Sequence, residues 1–305
     1  MAAHAITPRP APFTATTTLE ARAPFDFART LGFLGCFPPT AGEQQLAPSG
    51  LGKVLSISGR AIACTVAATE RPTRLTVTLR AEAPIDPETC DATLARLRFQ
   101  LSLDDDLSPF YALAEADAPF AKVVRAQYGH HHVKFPSPFE IACWAVLGQR
   151  TPMPIARKIK DAIVARFGPR IALAAHEARA FPEAEVLAHG EAGVRETVRD
   201  PRKAAAIIAI ARAFEGIDEA FLREGRFEDV ESWLRALPRI GAWSSAFILF
   251  RGLGRMPRLL QNEGPIFDAA RRVYGAARTT REITTIADRY GDWCGYWALY
   301  LRARS

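Results

Sequence analysis

Apolar and polar side chains alternate with a period of two in four stretches of the first 80 residues, most cleanly at Leu75-Thr76-Val77-Thr78-Leu79. That period puts successive side chains on opposite faces of a strand and predicts strands at 13–21, 53–58, 61–68 and 74–80, each burying one face. Helical spacing predicts helices at 25–36 and 87–101 around them, with a loop over 37–49. From Leu107 onward the alternation stops, and no strand is expected. Apolar residues recur there three and four apart, with helices expected at 107–116, 118–127, 153–167, 201–216, 228–236, 242–253 and 292–302. Start and stop signals agree. Ser137-Pro138-Phe139-Glu140 supplies a cap, a first-turn proline and a capping-box glutamate, and Thr279-Thr280-Arg281-Glu282 is a second capping box. Asp200-Pro201 opens a very apolar helix that ends at Gly216, while Gly168 and Gly254 close two others. The expected fold class is α+β: a loose segment over 1–12, a small sheet-and-helix domain over 13–105, and an all-helical body over 106–305.

The stretch 227–263 holds the densest information. Its first helix stops at Pro238, and Pro238-Arg239-Ile240-Gly241 makes a tight turn in which Gly241 is expected to take the backbone angles that other residues avoid. A second helix follows at once. A helix start of this kind presents unpaired backbone N–H groups, for which a phosphate is a natural guest. Asn262 and Glu263 lie directly before another helix.

Composition narrows the function only a little. A chain of 305 residues with 49% apolar side chains can build two or three cores. The net charge of +6 suits a polyanionic partner as well as an ordinary basic enzyme, and arginine supplies nearly all of it. Five cysteines without paired spacing argue against a structural zinc and for a reducing, cytosolic setting. No apolar run reaches membrane-spanning length, so no membrane partner is expected. His130-His131-His132 cannot easily converge on one metal ion and is expected to face solvent or DNA. Gly252-Leu253-Gly254 lacks the preceding strand of a dinucleotide site.

The chain resembles the helix-hairpin-helix DNA glycosylases, and within them the bacterial 3-methyladenine DNA glycosylase II branch. The matching residues are Leu237-Pro238-Arg239-Ile240-Gly241-Ala242-Trp243, Arg251-Gly252 and the Glu263 loop. Upstream, Pro138-Phe139-Glu140 with Leu147-Gly148-Gln149 resembles the segment that fills the gap left by a flipped base. Phe25-Asp26-Phe27 with Leu31-Gly32-Phe33-Leu34 resembles the branch's N-terminal domain. Four matches in the family's order span most of the chain. The resemblance implies an antiparallel sheet domain followed by two helical lobes with a DNA cleft between them. It implies a monomer acting on double-stranded DNA that carries a modified base.

An N-glycosidic bond breaks through a cationic, oxocarbenium-like sugar, which a nearby carboxylate can stabilise while it orients or deprotonates water. By the resemblance that carboxylate is Glu263, where the family has aspartate. Read alone, Glu263 is equally a helix-start carboxylate, favourable near the helix's positive end. Asp268 is the fallback, or else a surface partner of Arg271 or Arg272. Asn262 either orients the water or closes a turn. Trp243 stands where relatives that also cleave the backbone carry a Schiff-base lysine, so base hydrolysis without lyase activity is expected. Phe33 and Phe247 match base-pocket aromatics, with Tyr296 or Trp297 in reach from the last helix; each is otherwise core. Aromatic faces attract electron-poor alkylated purines, the default substrate. A tryptophan usual further along that helix is replaced by Arg302. Gln149 and Arg150 match the wedge that enters the stack. Arg239, Ile240, Gly241 and Arg251 are expected on DNA, with Arg239 in place of the family's first hairpin glycine. No cofactor is expected for the chemistry, although relatives often hold a monovalent cation at the hairpin. A lesion reader without activity, or a glycosylase for bulky modified bases in defence against foreign DNA, are the other readings.

Overall fold

The computed structural model describes residues 13–173, 176–259 and 264–303. Strands β1 (Phe13–Glu20), β2 (Gln44–Ala47), β3 (Gly50–Ile57), β4 (Arg60–Ala68) and β5 (Arg74–Ala81) form one sheet in the order β1-β5-β4-β3-β2. All its pairings are antiparallel, with Leu19 opposite Leu75 and Val66 opposite Val77. Leu75, Val77 and Leu79 are fully buried on one face, as the alternation requires. Helices α1 (Phe27–Cys36) and α2 (Pro87–Leu101) cover that face. Asp26 and Asp86 start them by accepting backbone N–H bonds at their first turns. Strand β2 falls within the stretch expected as loop; its four residues carry too little alternation to read.

The body begins with α3 (Ser108–Glu115) and α4 (Ala118–Ala126) and continues through α5 (Pro138–Leu147) and α6 (Met153–Phe167). Next come α7 (Ala184–His189), α8 (Glu191–Val198), α9 (Pro201–Glu215), α10 (Glu219–Glu224), α11 (Phe227–Ala236) and α12 (Ala242–Ile248). Last are α13 (Gly264–Tyr274), α14 (Thr280–Asp288) and α15 (Cys294–Arg302). Two cores divide them. One gathers α5 to α12, and the other joins α3 and α4 to α13, α14 and α15 around Phe110, Phe120, Trp297 and Tyr300. The chain therefore enters the second lobe, builds the first, and returns.

Four sequence expectations are corrected here. The body is not wholly helical, because β6 (Arg170–Ala172) and β7 (Glu177–Arg179) form a hairpin whose Ile171 packs on Ala61 and Ala63 of β4. Strands of three residues are too short for a period to show. The histidines do not face solvent. His131 is completely buried between the carbonyls of Ser102 (2.6 Å) and Pro24 (2.8 Å), and His132 Nε2 donates to the Phe250 carbonyl at 3.0 Å. Glu140 does not close a capping box: Ser137 Oγ caps α5, but the Glu140 carboxylate turns inward to Lys160 Nζ at 2.7 Å. Lys160 also pairs with Glu43, which meets Lys53 of β3 at 3.6 Å. Burial alone would lower the Lys160 pKa, yet Glu140 and Glu43 outweigh it and raise it. These four charges join the sheet domain to the first lobe. Finally, the helix expected over 242–253 changes pitch: α12 passes into a π turn over Leu249–Leu253, closed by left-handed Gly254 at φ 71°.

Candidate functional site

Helix α11 buries Val230 and Leu234 and stops where Pro238 can no longer donate. The Leu237 carbonyl then accepts from Ile240 N–H at 3.1 Å, and the Ile240 side chain plugs into the first-lobe core. The unusual backbone angles fall elsewhere than expected. Gly241 is extended (φ −88°, ψ −172°), and the left-handed residue is Arg239 at φ 65°. Without a Cβ-free residue there, the turn carries strain of about 1–2 kcal/mol. The Ile240 N–H, expected on a phosphate, is committed inside the turn. The first-turn N–H groups of α12, beginning at Ala242 and Trp243, have no intrahelical acceptor and are the ones left for an anion.

The segment expected to supply the wedge sits directly against this turn. Gln149 Nε2 donates to the Arg239 carbonyl (2.6 Å) and to Ser244 Oγ (3.4 Å), and its Oε1 accepts from Arg239 Nε at 3.1 Å. Gln149 is thus occupied by the hairpin, while Arg150 is exposed at φ 51°, left-handed like Arg239. Behind both lies a residue the sequence reading missed. Lys203 Nζ, in the first turn of α9, donates to the carbonyls of Leu147 (2.8 Å) and Gln149 (2.9 Å) and to Thr151 Oγ1. A signal was present: a lysine at the positive end of a helix is disfavoured unless something else claims its charge. Burial lowers its pKa, Asp200 works against that, and Arg239 adds to it.

Trp243 and Phe247, one turn apart on α12, stack almost parallel, with centroids 5.1 Å apart and planes 9° apart. Trp243 is 47% exposed beside the turn, so one large aromatic face is open to a flat guest. Phe33 is not joined to them. It stacks on Phe37 at 5.0 Å, and the Arg251 guanidinium lies 4.9 Å over its ring. Arg251 itself is 7% exposed, packed also over Phe37 and Phe250, which corrects its placement among the phosphate contacts. It points inward because the π turn rotates it off the face of α12. Tyr296 and Trp297 are corrected as well. Both are fully buried in the second core, Tyr296 donating to Asp105 at 2.5 Å and Trp297 Nε1 to Tyr274 at 2.9 Å. Asp268 is held on the surface of α13 by Arg271 at 3.1 Å. Asn262 and Glu263 lie outside the described residues. A cavity of about 680 Å³ between the sheet and the first lobe, lined by Ser56, Thr65, Phe139 and Phe214, includes the start of α5 but not the hairpin turn, Gln149 or Arg150.

These elements define a class: a hairpin that offers amide N–H groups, the Gln149 segment braced on it, and an exposed aromatic side chain one residue past the turn, set on two helical lobes and a sheet domain. No family model matches the chain. A DNA-3-methyladenine glycosylase of Bacillus subtilis (strain 168) is 31% identical over 212 residues, 65% of this chain and 67% of that protein. Among solved structures, a 3-methyladenine DNA glycosylase from Archaeoglobus fulgidus superposes with a TM-score of 0.74 at 21% identity, covering 94% and 97% of the two chains. An 8-oxoguanine glycosylase/lyase of Clostridium acetobutylicum, solved with double-stranded DNA, gives 0.65 at 13% identity, covering 92% and 91%. The chain belongs to the helix-hairpin-helix DNA glycosylase family, on its 3-methyladenine DNA glycosylase side.

Proposed function

We propose that this protein, acting as a monomer on double-stranded DNA, flips a modified base out of the duplex and hydrolyses its N-glycosidic bond without cutting the backbone. The observation that carries the reading is the open Trp243 face, stacked on Phe247 and adjoining the hairpin. An indole face favours electron-poor, positively charged rings, so an alkylated purine is the substrate class. Such a base is expected against Trp243 rather than Phe33, whose ring already carries the Arg251 guanidinium. Tryptophan has no amine to form a Schiff base, which leaves water as the nucleophile. Glu263, immediately before α13, is assigned the carboxylate that stabilises the sugar cation and orients that water, with Asn262 as its neighbour.

A bound monovalent cation does not fit this hairpin well. The Arg239 carbonyl is taken by Gln149, and the Arg239 guanidinium already brings positive charge to the turn.

Base release from N-alkylated duplex DNA tests the proposal. Wild type is expected to leave alkali-labile abasic sites with no borohydride-trappable adduct, and Glu263→Gln to lose at least about a hundredfold in single-turnover rate. Equal rates in wild type and Glu263→Gln would remove the carboxylate from the mechanism. Binding without release by both would make the protein a lesion reader instead.

A further inference from the structure

An intercalating side chain does mechanical work. It must displace stacked bases, so the backbone that carries it must not yield. Arg150 is the exposed tip, and two neighbouring arrangements fix it. From behind, the Lys203 ammonium collects the Leu147 and Gln149 carbonyls and the Thr151 hydroxyl, closing residues 147–151 around one charge. Thr151 Oγ1 in turn donates to the Gln149 carbonyl at 3.1 Å. From the side, the Gln149 amide grips the Arg239 carbonyl and guanidinium. Arg150 and Arg239, both at positive φ, one a tip and one a phosphate clamp, are therefore parts of a single braced unit.

We propose that Lys203 is the positioning residue of the wedge: its ammonium shapes the 147–151 turn so that Arg150, with Gln149 held back on the hairpin, is the side chain that enters the stack. The inference rests on the DNA glycosylase reading. Lys203 is 5% exposed, so it acts through the turn and does not reach DNA itself. Its charge also sits at the carboxyl end of α5, where a cation is favourable. Capping α5 alone would stabilise the fold; positioning the wedge must in addition change how the protein discriminates a gap in the stack.

The test uses binding, so it does not depend on which base is excised. Two duplexes are compared, one intact and one with a single tetrahydrofuran abasic site opposite 2-aminopurine, whose fluorescence reports a side chain inserted beside it. Wild type is expected to prefer the abasic duplex by at least about tenfold in Kd and to change the 2-aminopurine signal. Lys203→Met should lose most of that preference and signal while its Kd for intact duplex stays within about threefold. Thr151→Val keeps the lysine and removes one acceptor, and should lose part of the preference in the same direction. Arg150→Ala should abolish the signal. If Lys203→Met folds and keeps preference and signal, or weakens on both duplexes equally, Lys203 is only a helix cap and the proposal falls. If Lys203→Met does not fold, Thr151→Val decides, and an unchanged preference overturns the proposal. A wild type with no abasic preference overturns it too. Base release is scored separately: its absence alongside an intact abasic preference sinks the hydrolase reading and leaves the wedge assignment standing.

Discussion

Arg150 and Arg239 occupy left-handed backbone angles that a glycine would adopt without strain, and each projects an arginine at the face expected to meet DNA. At each position the chain accepts about 1–2 kcal/mol of strain and keeps a guanidinium. Arg239→Gly separates the two effects. Relief of strain offsets the lost bond to Gln149, so the thermal midpoint should hold or rise. The Kd for intact duplex should weaken, and the slope of log K against log salt should shrink by about one, as for loss of one phosphate contact. An unchanged slope would mean the guanidinium serves only Gln149. Trp243 illustrates the complementary case, in which exposure rather than strain marks function: a tryptophan 47% open to solvent is a poor way to fill a core.

At the scale of elements, the parts with local punctuation were legible from the chain. Strand β5, helices α2 and α6, the Thr279 capping box and the hairpin all follow from period and cap chemistry, and the structure places them within a residue or two. What could not be read depends on partners far along the chain. Glu140 abandons its cap because Lys160 and Glu43 offer a buried ion pair; Lys203 matters because α5 ends against it; Arg251 turns inward because α12 loosens into a π turn. The candidate carboxylate was legible only through the family's pattern, since a lone glutamate before a helix has an ordinary explanation. The π turn also sets the hairpin's distance from α5. A Cβ on Gly252 would come within 2.5 Å of Ile141 Cγ2 on α5, and the Arg251 carbonyl accepts from Phe135 N–H at 2.8 Å. Gly252→Ala should therefore push the two helices apart, lowering the unfolding free energy by about 1–3 kcal/mol in urea titrations. An alanine variant as stable as wild type would show that the contact relaxes freely.

In the whole molecule, sheet domain, first lobe and second lobe meet along the buried segment His130-His131-His132, and that junction carries a pH dependence with a definite sign. Burial, aided by Arg29 and Arg251, holds His130 down to about 4; burial, Arg251 and Lys134 keep His132 well below the ordinary histidine range. Both stay neutral in the fold, while the unfolded chain protonates them near 6.5. Below that pH the unfolded state binds more protons, so stability falls as pH drops from about 6.5 towards 4, by an amount on the order of 3 kcal/mol for His130 alone. The Glu43 pairing adds a separate loss at lower pH: burial opposes its ionisation, but Lys160 and Lys53 keep its pKa below the usual value, so its contribution disappears only below about 4.5. The two windows are distinguishable. Urea midpoints between pH 7.5 and 5 should decline in wild type and decline less in His130→Gln and His132→Gln, whose side chains cannot take up the proton. A double variant that keeps the wild-type slope would move the acid sensitivity away from this junction, and with it the view that the three bodies meet around a neutral His130 and His132.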